Sequence, residues 1–235
     1  MSCGRIRILA LLLCSFLPAL PVGATPAERK CPKTLKGCPK QGCQGDPHLN
    51  EMKNQTTRSR RPEEWTIDEI IGLNEGSPSK WSKKLSRASL RNLGEGTAVL
   101  IEGYLINAHQ AKTPESCNCY LKGQDNNDYH LNLVADSSDK MKDSVVIELT
   151  PRFDRDKQGW DLSKLRGLAK ERRYVRVTGY LLFDSQHANY QRMPRATAWE
   201  IHQVTSFEVC RAHDAKKCSG KKAQWIKLSS YSDSE

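Results

Sequence analysis

From Thr97 to Val209 the alternation of apolar and polar residues predicts five strands and one helix. Thr97 to Ala108 is rich in Val, Leu, Ile and Tyr, with Gly103 inside, where a strand bends or bulges. Asp128 to Ala135 sets Tyr129, Leu131 and Leu133 against His130, Asn132 and Val134. Ser144 to Thr150 sets Val145, Ile147 and Leu149 against Val146 and Glu148, and Pro151 ends it. Asp161 is placed to cap a helix with Leu162, Leu165 and Leu168 on one face. Tyr174 to Phe183, with Gly179 inside, predicts a fourth strand. Thr197 to Val209 predicts a fifth, with Trp199, Ile201 and Phe207 opposite Glu200, His202 and Val204.

Upstream the signals are weaker. Asp46-Pro47-His48-Leu49-Asn50 predicts a short helix start, and Thr66-Ile67-Asp68-Glu69 reads as a capping box ended by Gly76-Ser77-Pro78. Trp81, Leu85 and Ala88 outline a second helical face, and Asn54-Gln55-Thr56 fits a glycosylation sequon. The chain therefore divides into a leader over 1–24, a Cys-, Pro- and Gly-rich polar arm and linker over 25–64, a short helical segment over 65–96, a β domain over 97–209 and a basic tail over 210–235.

Three strands, a helix and two strands is the element order of an OB-fold, a five-stranded Greek-key barrel with its helix between strands three and four. A bent first strand is part of that pattern. Three runs stand out: Glu115-Ser116-Cys117-Asn118-Cys119, Thr150-Pro151-Arg152 and Trp199-Glu200-Ile201-His202. With the element order and glycine placement, they make the segment resemble an OB-fold-like domain of small exported bacterial proteins of unknown function. That resemblance implies a fold and no activity. The structural alternative is an open five-stranded sheet covered by one helix.

Composition adds a compartment. Arg5 and Arg7 precede an apolar run from Ile8 to Leu20, and Val22-Gly23-Ala24 supplies small residues for cleavage, so the mature chain is expected to begin near Thr25, in the periplasm or outside the cell. The run would rise about 20 Å as a helix, short of a ~30 Å hydrocarbon core. No transmembrane helix is expected once it is removed. Seven of the nine cysteines follow it: Cys31, Cys38, Cys43, Cys117, Cys119, Cys210 and Cys218. In an oxidising compartment they read as disulfides. Cys210 and Cys218 suit a local loop, and an odd set leaves one cysteine over. Cys117 and Cys119 would lie on one side of an extended segment and reach different partners. Zinc is the rival reading, but no Cys-x2-Cys pair is present. The net charge of +10 resides in both flanks, because acidic and basic residues balance over 91–209.

An OB-fold binds ligands on the face of strands two and three, between the loops joining strands 1–2 and 4–5. Both are long here. The first runs from about His109 to Asn127, where Cys117 to Leu121 could add a strand; the second, from Asp184 to Arg195, carries the candidate ligand-binding residues His187, Tyr190, Arg192 and Arg195. On the strands, His130, Glu148, Glu200 and His202 share the polar face. Two histidines and two carboxylates are donors suited to a divalent metal, or to acid and base roles; otherwise they face water or pair with basic side chains. The Asp-Gly-Asp-Thr run of thermonuclease-like phosphodiesterases is absent, as are the serine-hydrolase and zinc-protease motifs. Three functions follow: a binding module for an oligomeric or anionic ligand, such as an anionic polymer or oligonucleotide, requiring no cofactor; a metal-dependent hydrolase or phosphodiesterase using those four residues; and an envelope-associated interaction protein with basic arms.

Overall fold

The alternating segments form five strands, β1 (Ala98–Gln110), β2 (Tyr129–Val134), β3 (Val145–Leu149), β4 (Tyr174–Phe183) and β5 (Trp199–Cys210), in a computed structural model. The structure describes residues 30–78, 87–153, 155–220 and 222–232, and those from Cys31 onward belong to one unit. The predicted leader, Trp81 and Leu85 lie outside the described residues.

β1 explains why the sheet closes. Its first half pairs antiparallel with β4, from Ala98↔Tyr180 to Tyr104↔Tyr174. Its second half pairs antiparallel with β2, from Tyr104↔Val134 to Gln110↔Tyr129. β2 pairs with β3, β3 lies parallel to β5, and β5 returns antiparallel to β4. The order β1-β2-β3-β5-β4 closing on β1 is a five-stranded OB-type barrel. Gly103 sits where β1 changes partners: a Cβ there would meet Ile67 Cδ1 at 2.6 Å and the Val134 carbonyl oxygen at 2.8 Å.

Leu131, Leu133, Ile147, Leu149, Val177 and Ile201 fill the barrel, and Trp199 and Phe183 pack edge to face at one end. The helix Leu162–Lys170 buries Leu162, Leu165 and Leu168 against β1, and Asp161 caps it by accepting from the Lys164 amide. Val204 departs from the predicted alternation. The β4–β5 register shifts around Gly179, one strand advancing past the other, and this turns Val204 into the core.

The flanks are built onto the barrel. Asp46 caps the helix Pro47–Lys53, and the predicted box at Thr66 and Glu69 starts the helix Ile67–Gly72. Disulfides join Cys31 to Cys43 and Cys38 to Cys119, the second tying the arm to the long β1–β2 loop. Cys210 and Cys218 close the expected local loop. The described part of the predicted basic tail packs on the barrel: Trp225–Lys227 adds a strand to β5, and Leu228 and Tyr231 enter the core. The sequon asparagine, Asn54, is buried and donates to the carbonyls of Lys40 and Cys117, so it is not free for a glycan. Among the described residues no helix is long and apolar enough to cross a membrane.

Candidate functional site

The loop after β1 bends back over the barrel instead of extending. Ser116–Asn118 forms a 3-10 turn, and Cys119 and Tyr120 follow with φ of 55° and 56°. No added strand forms there, and the expectation that Cys117 and Cys119 share one side fails with it. Cys119 takes a disulfide; Cys117 stays a buried free thiol. Arg152 fixes the turn, donating to the carbonyls of Cys38 at 2.9 Å and Cys117 at 2.7 Å. The run Thr150-Pro151-Arg152 thus carries a loop clamp.

Between this loop and the β4–β5 loop lies a cavity of about 460 Å³. His109, Lys112, Glu115 and Tyr120 line it on one side, and His187 and Arg195 on the other. His130 and Asn132 of β2 and Val146 and Glu148 of β3 form its floor. This is the face between the two loops where OB-folds take ligands. Tyr120 is the one large hydrophobic side chain left exposed among the described residues, at 44%.

At the floor and just beneath it the four strand residues named from sequence converge. His130 and Glu148 are cross-strand partners, with Nε2 3.4 Å from Oε1. His202 Nδ1 lies 2.9 Å from Glu148 Oε2 and 3.3 Å from Glu200 Oε1. The side chains of Glu200 and His202 are fully buried, so the expectation that this face meets water is corrected: the two loops and the N-terminal arm roof it. Three groups join them that the strand pattern did not mark. Asp128 Oδ2 stands 3.6 Å from His202 Nε2, and Glu115 Oε1 4.0 Å from His130 Nε2. Lys53, the last residue of the helix Pro47–Lys53, reaches in from the arm to Glu115 at 2.8 Å. Asp128 was within reach of the alternation, two residues before His130 on the same face. Glu115 lies in a flagged run whose shape was unreadable, and nothing near Lys53 signals its destination.

The candidate ligand-binding residues have different fates. Arg195 is buried, bridging Asp184 at 2.8 Å and Glu200 at 3.3 Å. His187 lines the cavity and bonds Asp184 through Nδ1. Arg192 is exposed and outside the cavity lining. The side chain of Tyr190 lies outside the described residues.

The buried charges pull one another apart in acidity. Burial pushes Glu148 up, but His130, His202 and Lys53 overcome it and hold that carboxyl well below the usual range. Burial, with Glu148 and Asp184 nearby, pushes Glu200 up. Burial likewise raises Asp128, although His202 opposes it. Burial would lower His202, yet Glu148 and Glu200 lift it to about 10. Burial and Asp128 keep the Cys117 thiol protonated. Adjacent carboxyls held on opposite sides of their ordinary values are what acid–base pairs require. The donors also fall into sets able to hold a metal ion: Glu115, His130 and Glu148; Glu115, Cys117 and Asp128; and Asp128, Glu148 and His202.

No protein-family model and no curated protein matches the chain. Among solved structures it is similar to a chain in the crystal structure of yeast Stn1 and Ten1, at 13% identity and a TM-score of 0.36, with 72% of each chain covered. A likeness of that degree identifies no ligand.

Proposed function

We propose that the chain is an exported OB-type binding module that takes a segment of an anionic polymer, a single-stranded oligonucleotide foremost, into the cavity between its long loops. The observation that carries this reading is Tyr120, held exposed at a left-handed backbone position on the rim of a cavity that Lys112 also lines. An exposed ring beside a cation offers a stacking platform and a phosphate partner. Three disulfides and the apolar leader support export. The balanced charge of 91–209 limits the electrostatic share of binding, so affinity rests on the cavity more than on long-range attraction.

Fluorescence anisotropy with a labelled oligothymidylate tests this. Tyr120→Ala is expected to weaken binding by about 1–3 kcal/mol, or roughly 5- to 150-fold. Lys112→Ala is expected to lower the salt slope by about one unit. Unchanged affinity in Tyr120→Ala, or preference for a sulfated oligosaccharide, rejects the oligonucleotide reading. The second reading is metal-dependent hydrolysis of a phosphodiester, favoured by the acid–base pairing of Glu148 with Glu200 beside His130 and His202. Shortening of the labelled strand during the same titration, on adding a divalent cation, would move the assignment to it.

A further inference from the structure

His202 is oriented as a metal-binding histidine is. Glu148 Oε2 at 2.9 Å and Glu200 Oε1 at 3.3 Å both face Nδ1, and Arg195 holds the other oxygen of Glu200, so these carboxylates keep a hydrogen on Nδ1 while an ion that displaces the second ring proton meets the lone pair of Nε2. A carboxylate behind an imidazole in this way fixes the ring and raises its strength as a ligand. Nε2 then faces Asp128 Oδ2 at 3.6 Å, too far for a hydrogen bond. Asp128 cannot swing away freely, because its Oδ1 accepts from Asn118 Nδ2 at 2.9 Å.

His202 Nε2 and Asp128 Oδ2 are buried without a hydrogen-bond partner, and Glu148 Oε2, 2.9 Å from His202 Nδ1, is buried without the geometry of a hydrogen bond to it. Orphaned buried polar atoms are costly, and three on neighbouring side chains call for a partner. One donor atom from each residue lies within 4.8 Å of the others. Ligands on one ion, at bonds of about 2.0–2.2 Å, stand roughly 3–4 Å apart, so small side-chain adjustments complete the set.

We propose that Asp128, Glu148 and His202 bind one divalent cation of the zinc–manganese class, directly beneath the cavity floor. One imidazole and two carboxylates suit Zn²⁺ or Mn²⁺, whereas Mg²⁺ and Ca²⁺ favour oxygen alone. Glu148 is the member of the trio that also lines the cavity, so the ion lies one side chain from a bound ligand. The site does not rest on the oligonucleotide reading.

The test is calorimetry on the intact, EDTA-stripped chain with Zn²⁺, Mn²⁺, Mg²⁺ and Ca²⁺ in turn. One equivalent of Zn²⁺ or Mn²⁺ per chain is expected, and cobalt should give d–d absorption. Asp128→Asn keeps the shape and the Asn118 contact and should lose about 100-fold or more in affinity; Glu200→Gln, acting through His202, should lose about 10–100-fold. Glu51→Gln, an exposed carboxylate on the arm helix, should change nothing. A wild-type chain that binds none of the four ions overturns the proposal with no variant needed. So does equal affinity for Mg²⁺, or Asp128→Asn binding within about threefold of wild type. A chain that holds the ion and ignores the oligonucleotide would retire the oligonucleotide reading and leave this site standing.

Discussion

Arg195→Met is expected to destabilise the chain by about 3–5 kcal/mol, as removal of one partner from a buried ion pair does. Arg195 keeps only 6% of its side chain exposed and joins Asp184 to Glu200. Methionine fills much of the volume, so the loss is electrostatic: two buried carboxyls are left against each other and against Glu148. Because Asp184 and Glu200 flank the β4–β5 loop, the same change loosens one wall of the cavity. Urea unfolding followed by Trp fluorescence would measure it. The double variant Arg195→Met/Glu200→Gln should lose less than the single changes added together, since a neutral amide no longer needs the guanidinium. A loss below about 1 kcal/mol would mean that Arg195 is effectively solvated and that this wall is not a charge network.

Removing the Cys38–Cys119 disulfide is the second large effect. It links residues 81 apart, and chain entropy alone assigns such a link about 4.5 kcal/mol. The Cys210–Cys218 link spans 8 residues and is worth about 2.5 kcal/mol on the same scale. Cys38→Ser/Cys119→Ser should therefore cost clearly more than Cys210→Ser/Cys218→Ser in midpoint of unfolding. It also frees the arm that delivers Lys53 to Glu115, so ligand affinity should fall in the first variant and hold in the second. The reverse order of stabilities would show that the arm is not built into the barrel.

The sequence carried the barrel because each strand announces itself locally. Leu131 and Leu133, Ile147 and Leu149, and Trp199 and Ile201 repeat with the period of a sheet, and Asp161 marks the helix start with its own side chain. Gly103 was legible as a bend because the close approach of Ile67 and Val134 excludes a side chain. Val204 was misplaced because a register shift has no local signature. His130, Glu148, Glu200 and His202 were readable as one polar face, but not as an interior one. Their burial depends on Arg152 clamping the loop around Cys117, and on an arm helix whose Lys53 contacts Glu115 sixty-two residues later. Contacts at that separation leave no periodicity to read. Cys117 looked like a disulfide partner by compartment alone; the turn at Ser116–Asn118 aims it at Glu115 instead.

The most direct test of the central claim, that the loop-walled cavity above the histidine–carboxylate cluster is where this chain meets its ligand, is an amide chemical-shift map of the intact protein titrated with oligothymidylate. Shifts concentrated at Lys112, Glu115, Tyr120, His130, Glu148 and His187, all of which line that cavity, are expected. Shifts gathered instead around Trp65, Glu102, Tyr174 and Arg176, which line a second hollow on the barrel, would contradict the claim.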